Sequence, residues 1–353
     1  MVRGRSLSRS LIFAYPGDLS LKTGGYAYDR KVIDGLRSLG WAVNLMPLGD
    51  GFPVPSEATV QSASKMLSAL PDDTLVVIDG LAFGVLDGWA TSEAARLRIL
   101  ALVHHPLTLE TGLSETEQKS FRDSERAALA SARHVIVTSP MTAREVSSNY
   151  GVAVTDITVA LPGTERVDFA PAENPVPQIL SVGTLSRRKG HDILLSALKS
   201  IEDLDWQATI IGSKTLDPVT SAALAQQVDD LGLERRVQLA GEVDDPQGHF
   251  CSADVFALAS RYEGYGMVFA EALSYGLPIV CCKAGAVPDV VPEDAGILVP
   301  VDDIDAFGRA LRRLLTDQDE RERRATAARR AGAQLPDWPE TAQIISDTLD
   351  SVS

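Results

Sequence analysis

Ser260-Arg261-Tyr262-Glu263-Gly264-Tyr265-Gly266-Met267-Val268-Phe269-Ala270-Glu271-Ala272-Leu273-Ser274-Tyr275-Gly276-Leu277-Pro278-Ile279-Val280 reads as a loop, a helix and the entry to a strand. The apolar run Val255–Leu258 precedes it, so the whole is a strand, a Gly-rich loop, a helix and a second strand. Met267 to Tyr275 carries the helical pattern, and Gly276 and Pro278 stop it. Gly264 and Gly266 let backbone approach a ligand closely. The N–H groups and positive dipole end of the helix then face whatever the loop holds. Glu263 lies in the loop, and Glu271 lies eight positions on, among Phe269, Ala270, Ala272 and Leu273, where an unpaired carboxylate is costly. This is a device for an anionic, hydroxyl-rich ligand.

The same alternation runs through the chain. Apolar, β-branched runs occur at 11–15, 42–47, 75–78, 99–103, 135–138 and 157–160, each followed by a helical pattern. A second series follows at 179–182, 207–211, 237–240, 255–258, 279–282 and 296–299. Nearly continuous apolar strands alternating with helices predict parallel sheets covered on both faces, and two series predict two doubly wound α/β domains. Between them Phe169 to Gln178 holds three prolines in seven residues and reads as a semi-rigid linker. The expected domains are residues 1–170 and 178–335, with a last helix from Trp338. The length of 353 residues suits two domains.

Composition narrows the class. With 45% hydrophobic and 23% charged residues the chain is ordinary for a globular protein. No apolar run reaches the roughly 20 residues of a membrane span, and the basic start followed by Leu11–Tyr15 is too short for a signal peptide. A cytoplasmic location is expected. Cys251, Cys281 and Cys282 have neither disulfide nor metal spacing. The net charge of −15 divides into −1 over residues 1–150 and −14 over the rest. Without a basic stripe, nucleic acid is not an expected partner. The near-neutral first part permits peripheral docking at a lipid surface, though no polybasic or amphipathic anchor calls for it.

The paired-Glu string resembles the donor site of the family 4 (group 1 type) retaining glycosyltransferases. A Glu, seven residues, and a second Glu followed by Ala are here Glu263, Glu271 and Ala272. Gly24-Gly25, His104-His105-Pro106, Gly183-Thr184-Leu185 with Arg188-Lys189-Gly190, Gly241-Glu242-Val243 and Gly285-Ala286-Val287-Pro288-Asp289 extend the resemblance over nearly the whole chain. It implies a GT-B fold: two Rossmann-like domains facing across a cleft, with the final helix, 338–353, returning to the N-terminal one. It further implies transfer of a hexose from a UDP- or GDP-linked sugar to a hydroxyl acceptor (a glycan, lipid or small molecule), with retention and without a metal or other cofactor. The C-terminal domain would bind the nucleotide-sugar donor and the N-terminal domain the acceptor. Two other readings remain: a nucleotide-sugar epimerase or hydrolase on the same fold, and a non-catalytic sugar-nucleotide module.

The site residues follow partly from the residues and partly from the resemblance. Gly24 and Gly25 lie after the first strand, before a helix expected at Ala27–Leu39. The resemblance sets them beside the donor diphosphate. Lys189 ends the loop after strand 179–182, where parallel sheets bind ligands and where charge grows on a departing diphosphate. The family's Arg after the strand-end Gly183 is replaced by Thr184, so either Arg187 or Arg188 supplies the second cation, with Arg188 favoured, or Lys189 works with N–H groups alone. By resemblance Glu271 holds the ribose, Glu263 faces the transferred sugar, and Gly264 with the N–H groups of Gly266, Met267 and Val268 line the sugar and phosphate. A His at the end of strand 99–103 comes near the acceptor and reacting carbon. His104 aligns best and His105 is the alternative, with a near-neutral imidazole expected. Asp79 and Glu110 are acceptor-side candidates that equally suit helix caps. His134, His191 and His249 read as surface or capping residues. Asp244-Asp245 and Asp302-Asp303 read as exposed turns, so no metal site is expected.

Overall fold

A computed structural model describes residues 9–110, 112–165, 167 and 174–352. Two compact units divide the chain: residues up to Gly163 with Trp338 onward, and Thr164–Asp337. The division falls before the Pro-rich break, of which 169–173 lie outside the described residues. Thr164 shows why. Its N–H donates to Pro336 O at 2.9 Å, tying the entering and leaving segments of the second unit together.

The first unit contains β1 (Ser10–Tyr15), β2 (Ala42–Pro47), β3 (Leu75–Asp79), β4 (Arg98–Val103), β5 (His134–Val137) and β6 (Ile157–Val159). They form one parallel sheet in the order β2-β1-β3-β4-β5-β6. The chain winds to one side through β2 and to the other through β3, so the order reverses between β1 and β3. Helix α1 (Gly24–Ser38) follows β1, α2 (Gly80–Phe83) follows β3, and α3 (Glu115–Leu129) follows β4. All five residues of β3 are buried, as a strand covered on both faces requires.

The helix from Gly24 starts earlier than the sequence pattern suggests. Thr23 caps it by accepting from Tyr26 N, so the glycine pair forms its first turn rather than a loop before it. Its buried face is Tyr28, Asp29, Val32, Ile33 and Leu36. The chain's last helix spans Trp338–Ser351 and packs on α1. A Cβ on Gly35 would come within 2.4 Å of Ala342 Cβ, and Trp41 Nε1 donates to Ser346 Oγ at 2.9 Å. This helix therefore completes the first unit's core.

The second unit contains β7 (Gln178–Val182), β8 (Gln207–Ile211), β9 (Val237–Gly241), β10 (Val255–Leu258), β11 (Ile279–Cys282) and β12 (Gly296–Val299), in the parallel order β12-β11-β10-β7-β8-β9. The order reverses between β7 and β10, which pair through Val255–Ile179 and Phe256–Leu180. Helix α4 (His191–Lys199) follows β7, and α5 (Met267–Ser274) follows β10. Both units are thus doubly wound, as the two strand series predict.

Candidate active site

Open parallel sheets leave a crevice beyond the carboxyl ends of their strands where the order reverses, because the flanking loops diverge to opposite faces. The sequence-predicted residues gather at that point in each unit.

In the second unit the loops after β7 and β10 meet. Lys189 Nζ lies 2.6 Å from Glu263 Oε1, and Ser260 Oγ donates to the same oxygen at 2.6 Å. Arg188 Nη1 reaches Glu263 Oε2 at 3.4 Å and donates to Tyr262 O at 3.0 Å. Arg187 is exposed and takes no part through its side chain among the described contacts, so Arg188 is the second cation of the cluster. Thr184 occupies the family's Arg position, half-buried. A Cβ on Gly183 would sit 3.2 Å from Lys189 Cδ, so the lysine stem lies along the bare backbone.

The surrounding frame is dense. Arg261 N donates to Arg188 O, while the Arg261 guanidinium grips Asp192 with two bonds, at 3.0 and 2.7 Å. Ala286 N donates to Glu263 O at 2.9 Å. Gly285 has φ +55, and a Cβ there would lie 2.2 Å from that same carbonyl. The Gly285-Ala286-Val287-Pro288-Asp289 segment thus holds Glu263 from below.

Electrostatics separates the two glutamates. Burial opposes ionisation of Glu263, but Lys189 and Arg188 outweigh it and bring its carboxyl down to about 2. Lys189 is itself lowered, because burial, reinforced by Arg188, outweighs the pull of Glu263. The carboxylate is the firmly ionised partner, since two cations and a hydroxyl serve it. Glu271 is half-buried on α5, and its carboxylate accepts no hydrogen bond among the described residues. Burial raises its carboxyl to about 7, with Lys189 pulling the other way. No side chain caps α5, so the Met267 and Val268 N–H groups at its start are open to a ligand.

In the first unit three side chains converge. His104 follows β4, Asp79 ends β3, and Asp29 projects from α1. His104 Nε2 is 3.1 Å from Asp29 Oδ1 and 3.5 Å from Asp79 Oδ2. A Cβ on Gly25 would touch the His104 ring at 3.5 Å, so the glycine pair and the histidine adjoin. Asp79 caps α2 as well, accepting from Leu81 N at 2.7 Å. His105 Nε2 turns instead to Glu110 Oε1, 2.5 Å away. These two form a pair of their own at the turn and do not join the cluster.

The groups around His104 push its pKa up, against the near-neutral imidazole that the sequence suggests. Burial alone would lower the His104 pKa, but Asp29 and Asp79 overcome it and carry it to about 10. Burial raises Asp29 to about 6, held from going further by His104. A second correction concerns His191, which is neither exposed nor a cap. It lies buried at the start of α4 with Nε2 on Gly183 O at 3.1 Å, and burial holds it neutral, its pKa down at about 4. Asp29 escaped notice in the sequence, although an acid within the apolar stripe Tyr28, Val32, Ile33 and Leu36 was its signal. Ser260 escaped for lack of any signal beyond proximity to Glu263.

Among the described residues, Asp29, Asp79 and His104 are the one group with metal-ligand chemistry, and the expected acidic pairs 244–245 and 302–303 are not in it. Here His104 Nε2 is hydrogen-bonded to Asp29 Oδ1 and lies 3.5 Å from Asp79 Oδ2.

Residues 165–331 match the family described as glycosyl transferases group 1. Over these residues, just under half of its length, the chain is similar to the group 1 glycosyl transferases. It is 29% identical over 240 residues to a D-inositol 3-phosphate glycosyltransferase of Arthrobacter sp. (strain FB24), covering 61% of this chain and 56% of that one. It is 33% identical over 186 residues to a GDP-mannose-dependent alpha-(1-6)-phosphatidylinositol monomannoside mannosyltransferase of Mycobacterium tuberculosis, covering 49% of this chain and 45% of that one. The matched stretches thus span about half the length of these relatives. Among solved structures, sucrose-phosphate synthase from Thermosynechococcus elongatus superposes with a TM-score of 0.81 at 22% identity, over 97% of this chain and 98% of that one. The chain therefore shares the GT-B fold, with one doubly wound parallel sheet in each unit. Among the described residues no helix is long and apolar enough to cross a membrane.

Proposed function

We propose that this protein transfers a hexose from a UDP- or GDP-linked sugar to a hydroxyl acceptor, with retention of configuration and without a metal. The observation that carries the reading is Glu271: a half-buried carboxylate without a protein partner, on the helix that follows the Lys189–Arg188–Glu263 cluster, at the order reversal of the sheet. A carboxylate so placed accepts two hydrogen bonds from the vicinal hydroxyls of a ribose. Lys189 and Arg188 then meet the diphosphate. Negative charge builds on that group as the glycosidic bond breaks, and fixed cations stabilise the transition state more than the ground state.

Glu263 has a double task in this reading. It fixes both cations through Oε1 and Oε2, and the long 3.4 Å contact leaves Oε2 able to accept a sugar hydroxyl. The α5 N-terminus, with Gly264, Gly266, Met267 and Val268, supplies N–H groups to sugar and phosphate. Because the two relatives' names include a GDP-mannose donor and a phosphorylated inositol, a nucleotide sugar and a polyol acceptor fit the family. The first unit's cluster, Gly24, Gly25, Asp79 and His104, with His105 and Glu110 beside it, serves the acceptor side. A cytoplasmic site of action suits the free cysteines.

Thermal shift against UDP-, GDP- and ADP-sugars tests the donor. A ligand at 100 times its Kd adds roughly 2.7 kcal/mol of stability. Product analysis with the stabilising donor and a panel of polyols then reads transfer. No stabilisation by any nucleotide sugar would defeat the proposal, and rapid loss of donor alone would mark a hydrolase.

A further inference from the structure

His104 is surrounded in an unusual way for a histidine that faces a ligand. Asp29 and Asp79 both aim a carboxylate oxygen at one ring nitrogen, Nε2. Both are acceptors, so Nε2 carries a hydrogen. Asp29 is fully buried, and its other oxygen, Oδ2, has no hydrogen-bond partner. Among the described residues no lysine or arginine pairs with either carboxylate. The remaining groups packed on the ring are neutral. Tyr28 meets it edge-on from α1 at 5.3 Å, with its hydroxyl on Ala160 O. Tyr26 spends its hydroxyl on Pro16 O, and Thr138, after β5, donates to the His104 carbonyl. Two buried acids therefore share one possible counter-charge, the imidazole itself. A lone buried carboxylate is costly, and a ring cation between two of them removes most of that cost.

The other ring nitrogen decides what the ligand sees. Nδ1 bonds no described group. On a neutral ring with hydrogen on Nε2 it would be a lone pair, able to accept a proton. On a charged ring it is an N–H. We infer that Asp29 and Asp79 hold His104 as a standing imidazolium, so that this histidine offers the ligand a fixed positive charge and one N–H from Nδ1, and does not serve as a base. The ligand atom this suits is a hydroxyl or anionic oxygen. Asp29 and Asp79 are positioning residues that act through His104. The inference rests on the acceptor-side role given to His104 above, yet its first test does not depend on activity.

That test is nitrogen NMR of the full chain with labelled histidine, the His104 signals being assigned by their loss in His104→Ala. The wild type should show both ring nitrogens protonated from pH 6 to 9. In Asp29→Asn the transition to the neutral ring should come at least one pH unit lower, and Asp79→Asn serves if that variant does not fold. A neutral His104 in the wild type at pH 7.5 overturns the inference. Kinetics adds a second reading between pH 8 and 9, above the Glu271 titration. Wild-type kcat/KM should change less than twofold there, while Asp29→Asn shows its alkaline decline at least one unit earlier. A uniform loss in Asp29→Asn with an unshifted profile would mean mere structural support. Imidazolium spectra without transfer from any sugar nucleotide would defeat the proposed function and leave the charge assignment standing.

Discussion

Glu271 and Glu263 show how environment divides two carboxylates. Glu271 is raised to about 7 by burial, so the folded state holds its proton where the unfolded chain has released it. Stability therefore falls as pH rises from the unfolded value near 4.5 through 7, and stays lowered above. Glu271→Gln should then stabilise the free protein at pH 8 by on the order of 1–2 kcal/mol, read from urea midpoints. The same variant should weaken UDP or GDP binding at least tenfold by calorimetry, and wild-type affinity should rise between pH 6 and 8. Unchanged nucleotide affinity in the variant would remove Glu271 from the site. Glu263 has the opposite sign: its carboxyl is depressed to about 2, so its contribution is present above the unfolded pKa and is lost as pH falls from about 4.5 toward 2. Lys189→Ala should lower kcat more than donor affinity, because its charge matters most as the diphosphate departs. A variant with normal kcat would move that role to Arg188. His104→Ala should cut transfer about 10²-fold with the donor Kd within a factor of a few, and His105→Ala should be milder.

At the scale of elements, loops are held by what lies beneath them. Gly285 combines positive φ with a Cβ position 2.2 Å from Glu263 O, so Gly285→Ala must push the Glu263 loop or unwind its own turn. We expect a loss of about 2 kcal/mol or more, together with weaker donor binding. Gly248 lies in the helix Gln247–Ser252 with nothing within 4 Å of its Cβ position, so Gly248→Ala should be neutral or slightly stabilising. Equal losses in the two would remove the Gly285 segment from the site's support. Strands were the most legible elements. The apolar runs at 255–258 and 279–282 coincide with β10 and β11, whose residues are all buried, and those at 42–47, 207–211 and 296–299 coincide with β2, β8 and β12. Helix α1 was less so. The sequence pattern began at Ala27, yet a Thr23 cap admits Gly24 and Gly25 to the first turn, where glycine's weak propensity matters little.

For the whole molecule, local spacing told less than topology. The paired-Glu string was legible because its members are close in sequence, whereas the 3.4 Å contact with Glu263 is what marks Arg188 rather than Arg187. Asp29, Asp79 and His104 are separated by 50 and 25 residues, and only the order β2-β1-β3-β4 brings them to one corner. The same topology bears on metal dependence. The charge of Glu263 is matched by Lys189 and Arg188, cations that the protein already supplies. In the inferred charge state Asp29 and Asp79 share a proton on His104, which a metal would have to displace. In the proposed reaction, positive charge for the departing diphosphate would come from the loop after β7 and the start of α5. Transfer should accordingly persist at full rate in millimolar EDTA, and added Mg²⁺ or Mn²⁺ should leave kcat within twofold. Loss of transfer on chelation, restored by either ion, would falsify metal independence and turn attention to the carboxylates of the first unit.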